Sequence, residues 1–281
     1  MPHLPVTPLS KLARLLDGDD TVIVDCRFDL SDPARGESEY LEAHIPGAVF
    51  AHLERDLSGP KTGRSGRHPL PSVEEMSECF SSWGIDARVG VVVYDAGAGQ
   101  FAARLWWMLR YLGHERVQVL NGGLKAWRDA SLPVRGGREA RRPRRFDARP
   151  RAEMRIDLPD LVRMRGEHLL IDARDPARYR GDDEPLDPVA GHIPGARNHF
   201  WQRNLDERGF FLSPERLRNQ YESLLAVTPP ERTVVYCGSG VTACHNLIAL
   251  ELAGVQGVKL YPGSWSEWCA DPERPVEAGD T

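Results

Sequence analysis

One short stretch of the chain joins a nucleophile to a place that can hold an anion. It reads Thr-Val-Val-Tyr-Cys-Gly-Ser-Gly-Val-Thr-Ala, residues 233–243. The β-branched run 233–236 predicts a strand ending at Cys237. Gly238, Ser239 and Gly240 predict a tight turn, and a helix is expected from Val241 or Thr242 onward. Glycines let backbone N–H groups converge without Cβ clashes, and a helix N-terminus adds its own unpaired N–H groups and positive dipole end. Gly238, Ser239, Gly240, Val241 and Thr242 are therefore expected to cradle an anion at the Cys237 sulfur. Such surroundings lower a cysteine from ~8.5 to ~3.5–7.5, so the chemistry on offer is that of a nucleophilic thiolate. The alternative, a small apolar residue closing a strand, leaves Gly-Ser-Gly without a packing role. A cysteine phosphatase would need an arginine six residues after the cysteine to grip phosphoryl oxygens. That position is Ala243, and the loop holds no cation.

The elements that must position this loop occur twice, with a period of about 145 residues, too long for a solenoid repeat. VIVDCR from Val22 matches LLIDAR from Leu169. AHIPGA at 43–48 matches GHIPGA at 191–196. GVVVYDAG at 90–97 matches RTVVYCGS at 232–239. GGLKAW at 122–127 matches GSWSEW at 263–268. The order is the same in both halves, as duplication of a whole domain would give. Short apolar runs of strand length alternate with helical patterns such as AARLWWMLRYLG, capped by Gly113. That alternation predicts an α/β fold of two domains, each a mainly parallel sheet flanked by helices. Ligands bind beyond the carboxyl ends of such strands, where Cys237 sits. The first half has Asp95 in its place, and a carboxylate can neither attack nor carry sulfur. The expected boundaries are a non-catalytic domain at 1–134, an Arg-rich linker at 135–153 and a catalytic domain at 154–281.

Composition narrows the function class. The chain has 281 residues, 41% hydrophobic and 27% charged, with net charge −5. That balance offers no attraction to nucleic acid or anionic membrane. The eight arginines between 135 and 151 lack interleaved aromatics and read as a solvated linker. Residues 1–20 lack a signal-peptide core, and no apolar run reaches the ~18–20 residues of a membrane helix. The cysteines are Cys26, Cys79, Cys237, Cys244 and Cys269, an odd number with no CxxC pair. Neither a disulfide framework nor a zinc site is expected, and the composition points to a reducing cytoplasm. Cys244 is expected to face inward from the first helical turn as packing. Arg27 and Arg174, in the two Asp-x-Arg motifs, read as internal anchors. Trp106, Trp107, Trp127, Trp265 and Trp268 read as core or cleft wall.

With both HIPGA motifs, RLWWMLR at 104–110, NGGLKAW at 121–127, CGSGVTA at 237–243 and SWSEW at 264–268, nearly the whole chain resembles the tandem-domain rhodanese family, the thiosulfate and 3-mercaptopyruvate sulfurtransferases. The resemblance implies a sulfurtransferase without cofactor or metal. Sulfane sulfur would pass from a small-molecule donor through a Cys237 persulfide to cyanide, a small thiol or a thioredoxin-like protein. It implies 3-mercaptopyruvate as donor, because thiosulfate-type loops carry Arg and Lys where this one has Gly238 and Ser239. Thiosulfate:cyanide transfer, a non-catalytic sulfur carrier or thiol sensor, and an interaction scaffold are the alternatives. Two arginines bind the donor carboxylate in mercaptopyruvate members. The first matches Arg178; the second falls on Leu186, with Arg180 or an arginine of the N-terminal domain as substitutes. A Ser-His-Asp arrangement assists the thiol in the family. Here it matches Ser239 and His44, with Asp29 and Asp32 as candidates for the acid. His44 is equally readable as a structural residue of its HIPG turn, because His192 holds the same place in the second half.

Overall fold

A computed structural model describes residues 4–16, 18–164 and 166–280. The first half supplies strands β1 (Val6–Thr7), β2 (Thr21–Asp25), β3 (Ala48–Phe50), β4 (Gly90–Tyr94) and β5 (Val117–Leu120). They form one parallel sheet in the order β1-β5-β4-β2-β3. Its helices are α1 (Leu9–Ala13), α2 (Arg35–Glu42), α3 (Val73–Ser82), α4 (Ala102–Tyr111) and α5 (Gly123–Asp129). Strands β2 and β4 are central, paired with Val24 opposite Val93 and buried along nearly their whole length, as parallel strands covered on both faces must be.

The second half follows the same plan: α6 (Leu158–Arg163), β6 (Leu169–Asp172), α7 (Pro176–Arg180), β7 (Arg197–Asn198), α8 (Pro214–Leu225), β8 (Thr233–Tyr236), α9 (Ala243–Leu252), β9 (Lys259–Leu260) and α10 (Ser264–Trp268). Its parallel sheet has the order β7-β6-β8-β9. The α/β reading holds in both halves. The five tryptophans read as core or wall are all buried.

The two compact units do not coincide with the two halves. The first unit, which runs to Gly59, also takes in Pro71–Pro150 and Glu207–Phe211; the second consists of Pro60–Leu70, Arg151–Asp206 and the chain from Leu212 onward. Each unit is thus completed by a short segment from the other half. The arginine-rich stretch is not a free linker either. Arg135 exchanges backbone hydrogen bonds with His44, Arg144 N–H donates to Ser81 O and Arg149 N–H to Leu112 O. Phe146 is buried edge-on against Phe80. The expected boundaries at 134 and 153 are revised accordingly.

The two Asp-x-Arg motifs are internal anchors. Arg27 forks onto Asp25 and donates to Ala43 O at 2.8 Å. Arg174 forks onto Asp172 and donates to Gly191 O at 2.6 Å. Each ties the end of a central strand to the residue before its HIPG turn, where a buried charge is paired and its donors satisfied.

Candidate functional site

Strand β8 ends at Tyr236 and delivers Cys237 to a buried turn; α9 begins at Ala243, slightly later than the sequence pattern suggested. The start of α10 docks on the turn. Trp265 N–H donates to Cys237 O at 3.0 Å and Ser266 N–H to Gly238 O at 2.9 Å. Cys237 N–H donates to Ser264 Oγ at 3.1 Å, and Ser264 itself is left-handed, at φ 55°. Gly240 has φ 75°, and a Cβ there would lie 2.2 Å from Pro262 O, so only glycine fits. Among the described residues, the amides of Ser239, Val241 and Thr242 donate to no backbone carbonyl, which leaves them available to an anion.

The first unit shows the same device occupied by its own side chain. Asp95 follows β4 as Cys237 follows β8. Leu124 and Lys125 N–H donate to Asp95 O and Ala96 O, both at 2.9 Å, as Trp265 and Ser266 do in the second unit. The Asp95 carboxylate then accepts four backbone N–H groups, from Gly97, Gly99, Phe101 and Ala102, at 2.9–3.2 Å. Burial pushes its pKa up, against the four amides that pull it down. A loop of this design is an anion cradle, and in the first unit a fixed carboxylate fills it.

Arg178, on α7, donates from Nε and Nη2 to Glu184 and from Nη2 to Asp187 at 3.1 Å. Glu184 also accepts from Arg174 Nη1 at 3.2 Å. Arg67 extends this series of alternating charges through an ion pair of its Nη1 with Asp187. Arg180 turns instead to Asp182, and Leu186 is 44% exposed. The loop sequence holds no cation, yet two guanidinium groups stand beside it. A Cβ on Gly238 would lie 2.8 Å from Arg67 Nη2 and 3.4 Å from Arg178 Nη1.

The histidine expected to assist the thiol is not His44. That ring is fully buried in the first unit, stacked on Tyr40 at 4.2 Å, and its Nδ1 donates to Tyr40 O. His192 does the same with Tyr179, so both are structural residues of their HIPG turns. Asp29 and Asp32 accept local hydrogen bonds in the exposed turn before α2. The partner of Ser239 is His68, whose Nδ1 lies 2.8 Å from Ser239 Oγ. His68 and Arg67 went unread because the repeat drew attention to matching positions. Their signal is a mismatch: GRHPLP has no Arg-His counterpart in the second half.

The other thiols are not activated. Burial pushes Cys26 and Cys79 up, and Cys269 up to about 11. Cys244 is fully buried at the start of α9, its S–H 3.5 Å from Gly240 O. No cluster of metal-ligating side chains occurs among the described residues, and none of their helices is long and apolar enough to cross a membrane.

The sequence matches the Rhodanese-like domain family twice, over residues 9–130 and 157–271. Two bacterial relatives have provisional names. A 3-mercaptopyruvate sulfurtransferase of Pseudomonas aeruginosa is 49% identical over 274 residues, 96% of each chain. A thiosulfate sulfurtransferase, SseB, of Mycobacterium tuberculosis is 42% identical over 274 residues, 96% of this chain and 95% of its own. The crystal structure of the Escherichia coli 3-mercaptopyruvate sulfurtransferase SseA matches with TM-score 0.82 at 32% identity, covering 94% of this chain and 100% of its own.

Proposed function

The chain belongs to the rhodanese-like family, with two such domains in tandem, and from that premise we propose that it is a sulfurtransferase that carries sulfur on Cys237. The observation that carries the reading is the Cys237 turn: a cysteine in a loop whose twin in the first unit holds a carboxylate with four amides. An oxyanion, a thiolate and a persulfide make the same demand on such a cradle. We take 3-mercaptopyruvate as the donor, an assignment supported by the Pseudomonas aeruginosa relative and by Arg178 beside the loop. The provisional name of the Mycobacterium tuberculosis relative supports thiosulfate as the second reading.

In the first step the Cys237 thiolate attacks the donor sulfur. A new S–S bond forms, the C–S bond breaks, and its electron pair leaves on the pyruvate enolate. The proton carried by the donor sulfur moves to the enolate carbon, which gives pyruvate and an anionic Cys237 persulfide. Ser239 and His68 are the groups placed to relay that proton. Arg178 orients the donor carboxylate, and the turn amides hold the charge on sulfur. In the second step cyanide, a thiol or a thioredoxin-like protein attacks the outer sulfur and frees the Cys237 thiolate. Five thiols without a disulfide support a cytoplasmic setting.

Cys237→Ser is expected to abolish transfer while leaving the unfolding midpoint near wild type. Mass spectrometry of donor-treated wild type should find about 32 Da, one sulfur, on the peptide that carries Cys237. Sulfur on any other cysteine, or turnover by the serine variant, would refute the assignment.

A further inference from the structure

We propose that Arg67 is the second arginine of the donor-carboxylate site, so that Arg67 Nη2 and Arg178 Nη1 grip one carboxylate beside Cys237 where the family pattern has an arginine in place of Leu186. The inference rests on the sulfurtransferase reading and names how that site selects its donor.

Three observations carry it. First, both guanidinium groups converge on the Cys237 turn: the nearest atoms to a Cβ built on Gly238 are Arg67 Nη2, Arg178 Nη1 and Arg178 Nη2. Second, the donors left without a hydrogen bond among the described residues are the ones that face the turn. Arg67 spends Nη1 on Asp187, and Arg178 spends Nε and Nη2 on Glu184 and Asp187. Arg67 Nη2 and Arg178 Nη1 remain, on side chains still 27% and 17% exposed. Third, the pair is fixed in advance. Asp172, Arg174, Glu184, Arg178, Asp187 and Arg67 form a continuous chain of alternating charge from the end of β6 to the turn.

Two like charges at such proximity repel, and Asp187 offsets this by accepting from both. The chain is neutral as a whole, so an incoming carboxylate adds the one negative charge that two open donors can share. Planar guanidinium groups suit that task better than ammonium groups, because their donors match the spacing of carboxylate oxygens. The proposal also explains how Leu186 is tolerated: the missing cation arrives from the segment Pro60–Leu70.

The test is steady-state kinetics with 3-mercaptopyruvate and with thiosulfate, each with pyruvate as a dead-end carboxylate inhibitor. Arg67→Ala should raise the KM for 3-mercaptopyruvate and the Ki for pyruvate about 10- to 100-fold, the range of one lost charge-assisted hydrogen bond. Its kcat should stay within about threefold, since uniform binding is what is lost. Arg67→Lys keeps the charge without the fork and should fall between the two; it also serves if the alanine variant folds poorly. Adding Leu186→Arg to Arg67→Ala should recover most of both constants. The proposal is overturned if KM and Ki in Arg67→Ala stay within about twofold of wild type, if kcat alone falls, if Leu186→Arg recovers nothing, or if pyruvate does not inhibit wild type. A wild type that turns over thiosulfate alone refutes the donor assignment instead, and the pyruvate Ki measured with thiosulfate then still decides Arg67.

Discussion

Ser264 serves the nucleophile from behind. A left-handed conformation costs a residue with a Cβ about 1–2 kcal/mol, and the first unit places Gly123, at φ 57°, in the same station. Ser264 holds the conformation because its hydroxyl is useful: Oγ accepts from Cys237 N–H at 3.1 Å and donates to Tyr261 O at 3.0 Å. Ser264→Ala keeps the strain and leaves the buried Cys237 N–H without an acceptor, for a loss of about 2–3 kcal/mol. Ser264→Gly loses the same bond and sheds the strain, so its urea midpoint should lie between those of wild type and alanine. A glycine variant less stable than alanine would show that backbone strain is not what Ser264 bears. None of this was legible in the sequence, where SWSEW serves as a marker and the letter Ser says nothing of φ. The same limit explains the misassigned histidine. His44 carries a motif, whereas His68 acts through a distance that only folding creates.

The two strand-turn-helix loops, on the other hand, were legible as elements. Buried parallel strands read as unbroken apolar runs, and the glycines after them mark the turn. What pattern could not show is that the first loop fills its own cradle. It is one residue longer, with α4 starting at Ala102, and the Asp95 carboxylate reaches into the gathered amides. Asp95→Asn changes little in volume but sets an NH₂ group against two N–H donors. We expect it to destabilise the protein by about 2–3 kcal/mol in denaturant unfolding. Sulfur transfer per folded molecule should be unaffected, because the cysteine lies in the other loop. A fall in turnover without a fall in stability would instead assign the first loop a part in the reaction. The loop comparison also alters the outlook for a thiosulfate-type turn. Arginine at position 238 would press on Arg67 and Arg178, so the charges that a sequence reading would add are already supplied from elsewhere.

At the scale of the molecule, the internal repeat made two domains plain, and only the topology could reveal that they trade segments. Pro60–Leu70 completes the second unit and Glu207–Phe211 the first. The exchange is reciprocal in position but not in chemistry. Gly66 abuts Gly263 and Arg67 N–H bonds Ser266 Oγ, while Phe210 abuts Gly122 and Phe211 N–H bonds Asn121 Oδ1. One loop thus receives an arginine and a histidine, and its inert twin receives two phenylalanines. A consequence follows for anyone who cuts the chain. Neither fragment 1–150 nor fragment 151–281 holds a whole site: one lacks the nucleophile, the other lacks Arg67 and His68. Each expressed alone should be silent with either donor. Mixed, they should complement, with activity that rises with the concentration of the missing fragment and saturates, as a binding reaction does. Full activity from fragment 151–281 by itself would mean that the borrowed segment is dispensable.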